Sequence, residues 1–214
     1  GRLCHFKAAE VASKRLIILN PKNGLAYCNR GSTLEWLQRN EESEMMYRES
    51  LKYDPNGVFA HQSLAKILTK LGRYTEAFNF CDRAIELGPY DDFIYNLKGY
   101  LYFLIGEHEK AIINYDHAIR LNPGGCLPYI DKAIVYHSLE RKEESLNILE
   151  GFKTIVGDKD YQEEKEIYKD ELQRLEKQGC LENEIEENQR KACIEGIKFI
   201  LNFIDSELQK KDLK

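Results

Sequence analysis

Proline is scarce in this chain, with five in 214 residues. That excludes a loop-dominated or extended architecture and suits a helical one, because proline ends helices rather than continuing them. Long apolar runs are missing too. No stretch approaches the ~20 residues a membrane-spanning helix needs, so no membrane insertion is expected. No signal-peptide zones open the sequence, which starts at Gly1 rather than at an initiator Met. Basic excess is absent. The chain carries 31 Lys and Arg against 36 Asp and Glu, which argues against nucleic acid as a partner. The six cysteines, Cys4, Cys28, Cys81, Cys126, Cys180 and Cys193, contain no C-x-x-C pair. A helical chain of this length does not need disulfide staples. The thiols are therefore read as reduced, in the cytoplasm or another intracellular, reducing compartment.

Catalytic signatures are also missing. There is no G-x-x-x-x-G-K-[ST], no H-E-x-x-H, no G-x-S-x-G and no Gly-rich dinucleotide loop. The histidines His5, His61, His108, His117 and His137 are dispersed, which argues against a metal site. Cys28, Cys81 and Cys126 read as structural thiols rather than nucleophiles. No catalytic residue, metal or cofactor is expected, and the chain is not read as an enzyme. The net charge of −5 resides in residues 157–214, which hold 11 Lys and Arg and 16 Asp and Glu. Their acidic run 182–188 reads as a solvated helix face or linker.

What is present is a period. Pro21, Pro55, Pro89 and Pro123 stand 34 residues apart, and Pro128 is the only other proline. Between Pro89 and Pro123 the apolar residues Tyr95, Leu97, Tyr102 and Ile105 recur at helical spacing. Gly106 interrupts them. Ala111, Tyr115, Ala118 and Ile119 then form a second stripe that Pro123 terminates. Each unit therefore reads as helix–turn–helix.

This period and pattern resemble the tetratricopeptide repeat (TPR), a 34-residue helix pair with a large residue, a small residue and a second small residue at fixed positions. The third unit matches with Tyr95, Gly99, Tyr102, Ala111, Tyr115, Ala118 and Pro123. The second offers His61, Ala65, Leu68, Ala77, Cys81, Ala84 and Pro89. The first full unit has Tyr27, Gly31, Leu34, Ser43, Tyr47, Ser50 and Pro55. The fourth has Tyr129, Ala133, Tyr136, Ser145, Leu149 and Phe152, with Gly157 where proline falls elsewhere. His61 takes the place of a large aromatic, so packing is its expected role. The resemblance spans about residues 5–157 and opens mid-repeat, with Ala9 and Ala12 in a second helix.

The resemblance implies an all-α, right-handed superhelical α-solenoid of about four and a half repeats. The expected divisions are a half repeat 1–23, full repeats 24–57, 58–91, 92–125 and 126–157, and an acidic helical extension 158–214. Within that extension, Tyr161, Tyr168, Leu172 and Leu175 form a thin apolar stripe. Ile194, Ile197, Ile200, Leu201, Ile204 and Leu208 define an amphipathic helix over 190–209. This helix either caps the last repeat, folds back into the groove, or binds a partner.

In such arrays the first helices line a concave groove that holds a protein or peptide segment. By that analogy the groove face carries Leu25, Cys28, Ser32 and Trp36, then Phe59, Gln62, Lys66 and Lys70. It continues with Phe93, Asn96, Tyr100 and Phe103, then Leu127, Ile130, Ile134 and His137. Apolar anchors are expected at Phe93, Tyr100, Phe103, Leu127, Ile130 and Ile134. Gln62, Lys66 and Asn96 would orient the ligand, and Trp36 serves either the groove or packing between repeats. One TPR subgroup clamps the C-terminal carboxylate of chaperones such as Hsp70 and Hsp90 with Lys, Asn and Arg. The matching registers here give Cys28, Ser32, Ser63, Phe93 and Leu97, or Gln62, Lys66, Leu97, Leu127 and Asp131. Neither is a basic clamp, so chaperone-tail binding is not expected. The alternatives to a peptide-binding scaffold are a structural subunit of a homodimer or larger assembly, and the regulatory arm of a multidomain enzyme.

Overall fold

The computed structural model describes residues 2–156, 169 and 184–212. Every element among the described residues is an α-helix. They are α1 (Arg2–Leu19), α2 (Gly24–Trp36), α3 (Asn40–Tyr53), α4 (Val58–Lys70), α5 (Tyr74–Leu87), α6 (Asp92–Leu104), α7 (His108–Leu121), α8 (Cys126–Ser138), α9 (Lys142–Val156) and α10 (Glu184–Asp212). First helices start at Gly24, Val58, Asp92 and Cys126, second helices at Asn40, Tyr74, His108 and Lys142, each set at the 34-residue step. The fold is an α-solenoid of helix–turn–helix units. The Tyr161–Leu175 stripe lies outside the described residues, and the C-terminal helix exceeds its expected span of 190–209 at both ends. None of the described helices is long and apolar enough to cross a membrane.

Two compact units divide the chain, residues 1–97 and 98–214. In both, the turn inside each repeat has one geometry. Gln38, Gly72, Gly106 and Glu140 adopt φ of 59°, 73°, 80° and 60°. The next N–H donates to the carbonyl five residues back at 2.9 Å in all four repeats, from Arg39 to Leu34, Arg73 to Leu68, Glu107 to Tyr102 and Arg141 to Tyr136. This left-handed residue satisfies a carbonyl that the ending helix would leave open. Glycine adopts it freely, whereas Gln38 and Glu140 hold it at a cost of roughly 1–2 kcal/mol each.

The period-34 proline also has a partner. Tyr27 Oη donates to the Pro21 carbonyl at 3.0 Å, His61 Nε2 to Pro55 at 2.9 Å and Tyr129 Oη to Pro123 at 3.1 Å. A polar ring of the following first helix thus closes the end of the preceding second helix. His61 performs this packing role in place of tyrosine.

Helices within a repeat are matched by size. A Cβ on Gly31 would lie 2.8 Å from the Tyr47 ring, and one on Gly99 would lie 2.7 Å from the Tyr115 ring. Where the first helix carries Ala65 or Ala133, the second carries the smaller Cys81 or Leu149, and all four are buried. Ser43 and Ser145 replace the usual alanine, and each donates its Oγ to the first-helix carbonyl of Gly31 or Ala133 at 2.8 Å.

Surface charges repeat as well. Arg39–Glu42, Arg73–Glu76 and Arg141–Glu144 pair across the first turn of α3, α5 and α9. In α7 the signs are exchanged, with Glu107 paired to Lys110 at 3.2 Å. In the first unit Arg39 also reaches Glu10 at 3.0 Å, and Arg73 reaches Glu44 at 2.8 Å.

Candidate functional site

The first unit holds a groove of about 470 Å³ on the faces of α2, α4 and the start of α6. Trp36, Phe59 and Phe93 form its apolar lining and are 69%, 55% and 39% exposed. Its polar lining is set by pairs. Glu35 accepts from Lys66 at 2.6 Å and from Lys70 at 3.0 Å. Burial pushes the Glu35 carboxyl up, but the two ammonium groups outweigh it and hold the carboxyl below the usual range. Two cations on one anion leave this part of the groove with an excess of one positive charge.

Gln62 donates to Asp91 Oδ2 at 2.6 Å, while Asp91 Oδ1 accepts from the Phe93 N–H at 3.0 Å and so caps α6. Beneath the groove, Tyr47 Oη meets Ser32 Oγ at 3.0 Å. Burial pushes the Tyr47 phenol above its ordinary range, with Ser32 and Ser63 opposing.

The second unit treats the same helix face differently. Ile130, Ile134 and Phe103, expected as open anchors, are 1%, 3% and 2% exposed. They belong to one apolar cluster with Ile197, Ile200 and Ile204 of α10, and Tyr100 packs against it. Gly196 lies so close to α8 that an added Cβ would sit 2.7 Å from Ile134 Cγ2. Phe199 stacks on His137 with centroids 4.4 Å apart and planes at 19°. Three fully buried isoleucines stabilise this seat by about 1.5–3 kcal/mol each. The described contacts pack α10 against the α8 face that carries Ile134 and His137, in the last repeat.

The expected site residues thus divide. Trp36, Gln62, Lys66 and Phe93 line the first unit's groove, and Asn96 is half-buried further along α6. In the second unit, Phe103, Ile130 and Ile134 are covered by their own chain, and Leu127 is 39% exposed. Cys28 is buried against Ser50 at 3.0 Å, and neither it nor the exposed Leu25 lines the groove. Glu35 was missed, whereas Ser63 lines the groove at the clamp register where the sequence places it. Glu35 has no signal in the 34-residue pattern, since it acts through lysines 31 and 35 residues away. Among the described residues no cluster of His, Cys, Asp or Glu has a metal-binding arrangement.

Two family models described as tetratricopeptide repeat match the chain, one at residues 25–56 and 94–124 and the other at 62–88. Between residues 25 and 124 the chain carries tetratricopeptide repeats. Among curated TPR relatives, cell division cycle protein 27 homolog A of Arabidopsis thaliana is 27% identical over 49% of this chain and 15% of its own length. Hsp70-Hsp90 organizing protein 3 of the same plant is 30% identical over 45% of this chain and 19% of its own length. The chain therefore spans less than a quarter of either protein. Among solved TPR structures, MamA superposes with a TM-score of 0.63 at 19% identity, covering 84% of this chain and 91% of that one. The first TPR domain of Spaghetti (RPAP3), solved with an HSP90 peptide, gives 0.53 at 18% identity, covering 55% of this chain and 94% of that one. These likenesses show the fold. TPR proteins act as protein-interaction scaffolds.

Proposed function

We propose that this chain is a non-catalytic, intracellular TPR scaffold that receives an extended partner segment in the groove of its first unit. The observation that carries this reading is the exposure of Trp36 and Phe59 beside the Glu35–Lys66–Lys70 cluster. Large aromatic groups left in water beside fixed polar groups are a common design for peptide recognition. The groove is preformed by helix packing, which lowers the ordering cost of binding. Phe93 extends the apolar rim, and Gln62, held by Asp91, presents a fixed polar edge. The ligand is a segment without a required C-terminal carboxylate, because neither clamp register holds the full Lys, Asn and Arg set, while the one excess positive charge beside Glu35 favours an acidic side chain or carbonyl of the segment.

A random-peptide phage library selected on the intact chain, with a Trp36→Ala/Phe59→Ala chain in parallel, tests this. Sequences enriched on the intact chain and lost on the variant support the site. Enrichment unchanged by the variant refutes it. Circular dichroism checks that the variant keeps its helices.

A second reading is favoured by α1, whose Val11, Ile18 and Leu19 are 66%, 76% and 74% exposed. Apolar side chains in such number suit a subunit buried in an assembly. Sedimentation over a wide concentration range discriminates the two, since a self-assembling subunit gains mass as it is concentrated.

A further inference from the structure

In the second unit a helix already sits where a ligand helix would. The α8 residues that meet α10 are Ile134 and His137, three apart on one face, and Ile130, one turn before, belongs to the same apolar cluster. The α10 residues that meet them follow one rule. A residue without a side chain, Gly196, takes the closest approach, Ile197, Ile200 and Ile204 fill the apolar cluster, and Phe199 stacks on the imidazole. These are the i, i+1, i+3, i+4 and i+8 positions of a single helix face.

We infer that the α8 face is a helix-receiving site, that α10 is its resident ligand, and that its partner is an amphipathic helix exchanging with α10. The partner carries a small residue at the Gly196 position, aliphatic residues one, four and eight places on, and an aromatic ring three places on. The occupant in the structure supplies this specification. Its own sequence is the template for its competitor. The inference does not depend on the first unit's groove, so failure of the peptide selection above leaves it standing.

Gly196 gives a selective handle. Replacing it with leucine drives side-chain atoms into Ile134 and unseats α10 while leaving every repeat residue in place. The probe is a fluorescein-labelled synthetic peptide of residues 184–212, titrated against the full chain and against the full Gly196→Leu chain by anisotropy. The expected result is at least tenfold tighter binding to the variant, and no binding by a peptide that itself carries Gly196→Leu. Equal affinity for both chains, or no binding to a Gly196→Leu chain of unchanged helix content, overturns the inference.

Hydrogen exchange on the unaltered chain decides the matter without a variant. Amides of α10 exchanging at least tenfold faster than those of α8 support a displaceable helix. A common rate for α8 and α10 makes α10 an inseparable part of the core and overturns it.

Discussion

Replacing Gly99 by alanine tests the size matching between paired helices. On an open helix face the change would stabilise by about 0.5–1 kcal/mol, because glycine is a poor helix former. Here the new methyl group would lie 2.7, 2.8 and 3.1 Å from the Cε1, Cδ1 and Cζ of Tyr115. That ring is fully buried, so it has no solvent side to retreat to. Overpacking of this kind costs typically about 1–3 kcal/mol. The overlap outweighs the propensity gain, and a net loss of about 1–2 kcal/mol is expected. In a chain of this size that corresponds to a fall in Tm of roughly 2–8 °C.

The protein supplies its own rescue, because the fourth repeat pairs Ala133 with Leu149 at the same register. Tyr115→Leu alone leaves a cavity and costs about 2 kcal/mol or more. Added to Gly99→Ala it removes the clash, so the double variant is expected to be no less stable than Tyr115→Leu alone. The coupling between the two sites is then about 1–2 kcal/mol. Urea unfolding of the four chains, followed by far-ultraviolet circular dichroism, measures it. A neutral or stabilising Gly99→Ala, or strict additivity in the cycle, refutes the size-matching account.

Three further outcomes are expected. Gln38→Gly and Glu140→Gly each relieve a left-handed backbone that Gly72 and Gly106 adopt freely. Each should raise the urea midpoint by the equivalent of about 0.5–1.5 kcal/mol, and a lowered midpoint counts against the turn analysis. Ser43→Ala and Ser145→Ala each remove a buried donor to a first-helix carbonyl. A loss of about 1 kcal/mol apiece is expected in the same assay. Acid should loosen the second unit. Burial, with Lys142 adding for His137 and Glu195 opposing, holds His137 below the usual imidazole range, and burial does the same for His108 against the pull of Glu109. The folded chain therefore keeps these rings neutral while the unfolded chain takes up protons, so stability falls as pH drops below ~6.5. His137→Phe should flatten that fall in urea midpoints measured between pH 7.5 and 5.5, and an unaltered slope contradicts it.

Most of the fold was legible because it rests on local, repeated chemistry. The small residues Gly31, Ala65, Gly99 and Ala133 and the turn glycines act within their own repeat, and Pro21, Pro55 and Pro123 each act with the ring six residues on, so a fixed period reveals them. The first-unit groove was half legible. Trp36, Gln62, Lys66 and Phe93 follow from the register, but Glu35 does not, since its partners lie on the next first helix. The covered anchors Ile130 and Ile134 were the least legible. Whether they face water depends on where α10 comes to rest, which is a long-range event that periodicity does not encode. Gly196 was the available sign, a residue without a side chain in the middle of a strongly apolar helix face.

The exchanged charges of α7 have a consequence for assembly of the array. Units built on one template run the risk of docking in each other's places, as words with the same ending are easily confused. Arg73 meets Glu44 of the preceding repeat, whereas the residue at the same position one unit on is Glu107. A third repeat docked in the second's place would set Glu107 against Glu44, anion against anion, and lose that contact. The reversal acts as an address label. It adds to the differing core pairs a small bias of about 0–1 kcal/mol against one misplaced docking, at positions where changing it leaves the packed helices undisturbed.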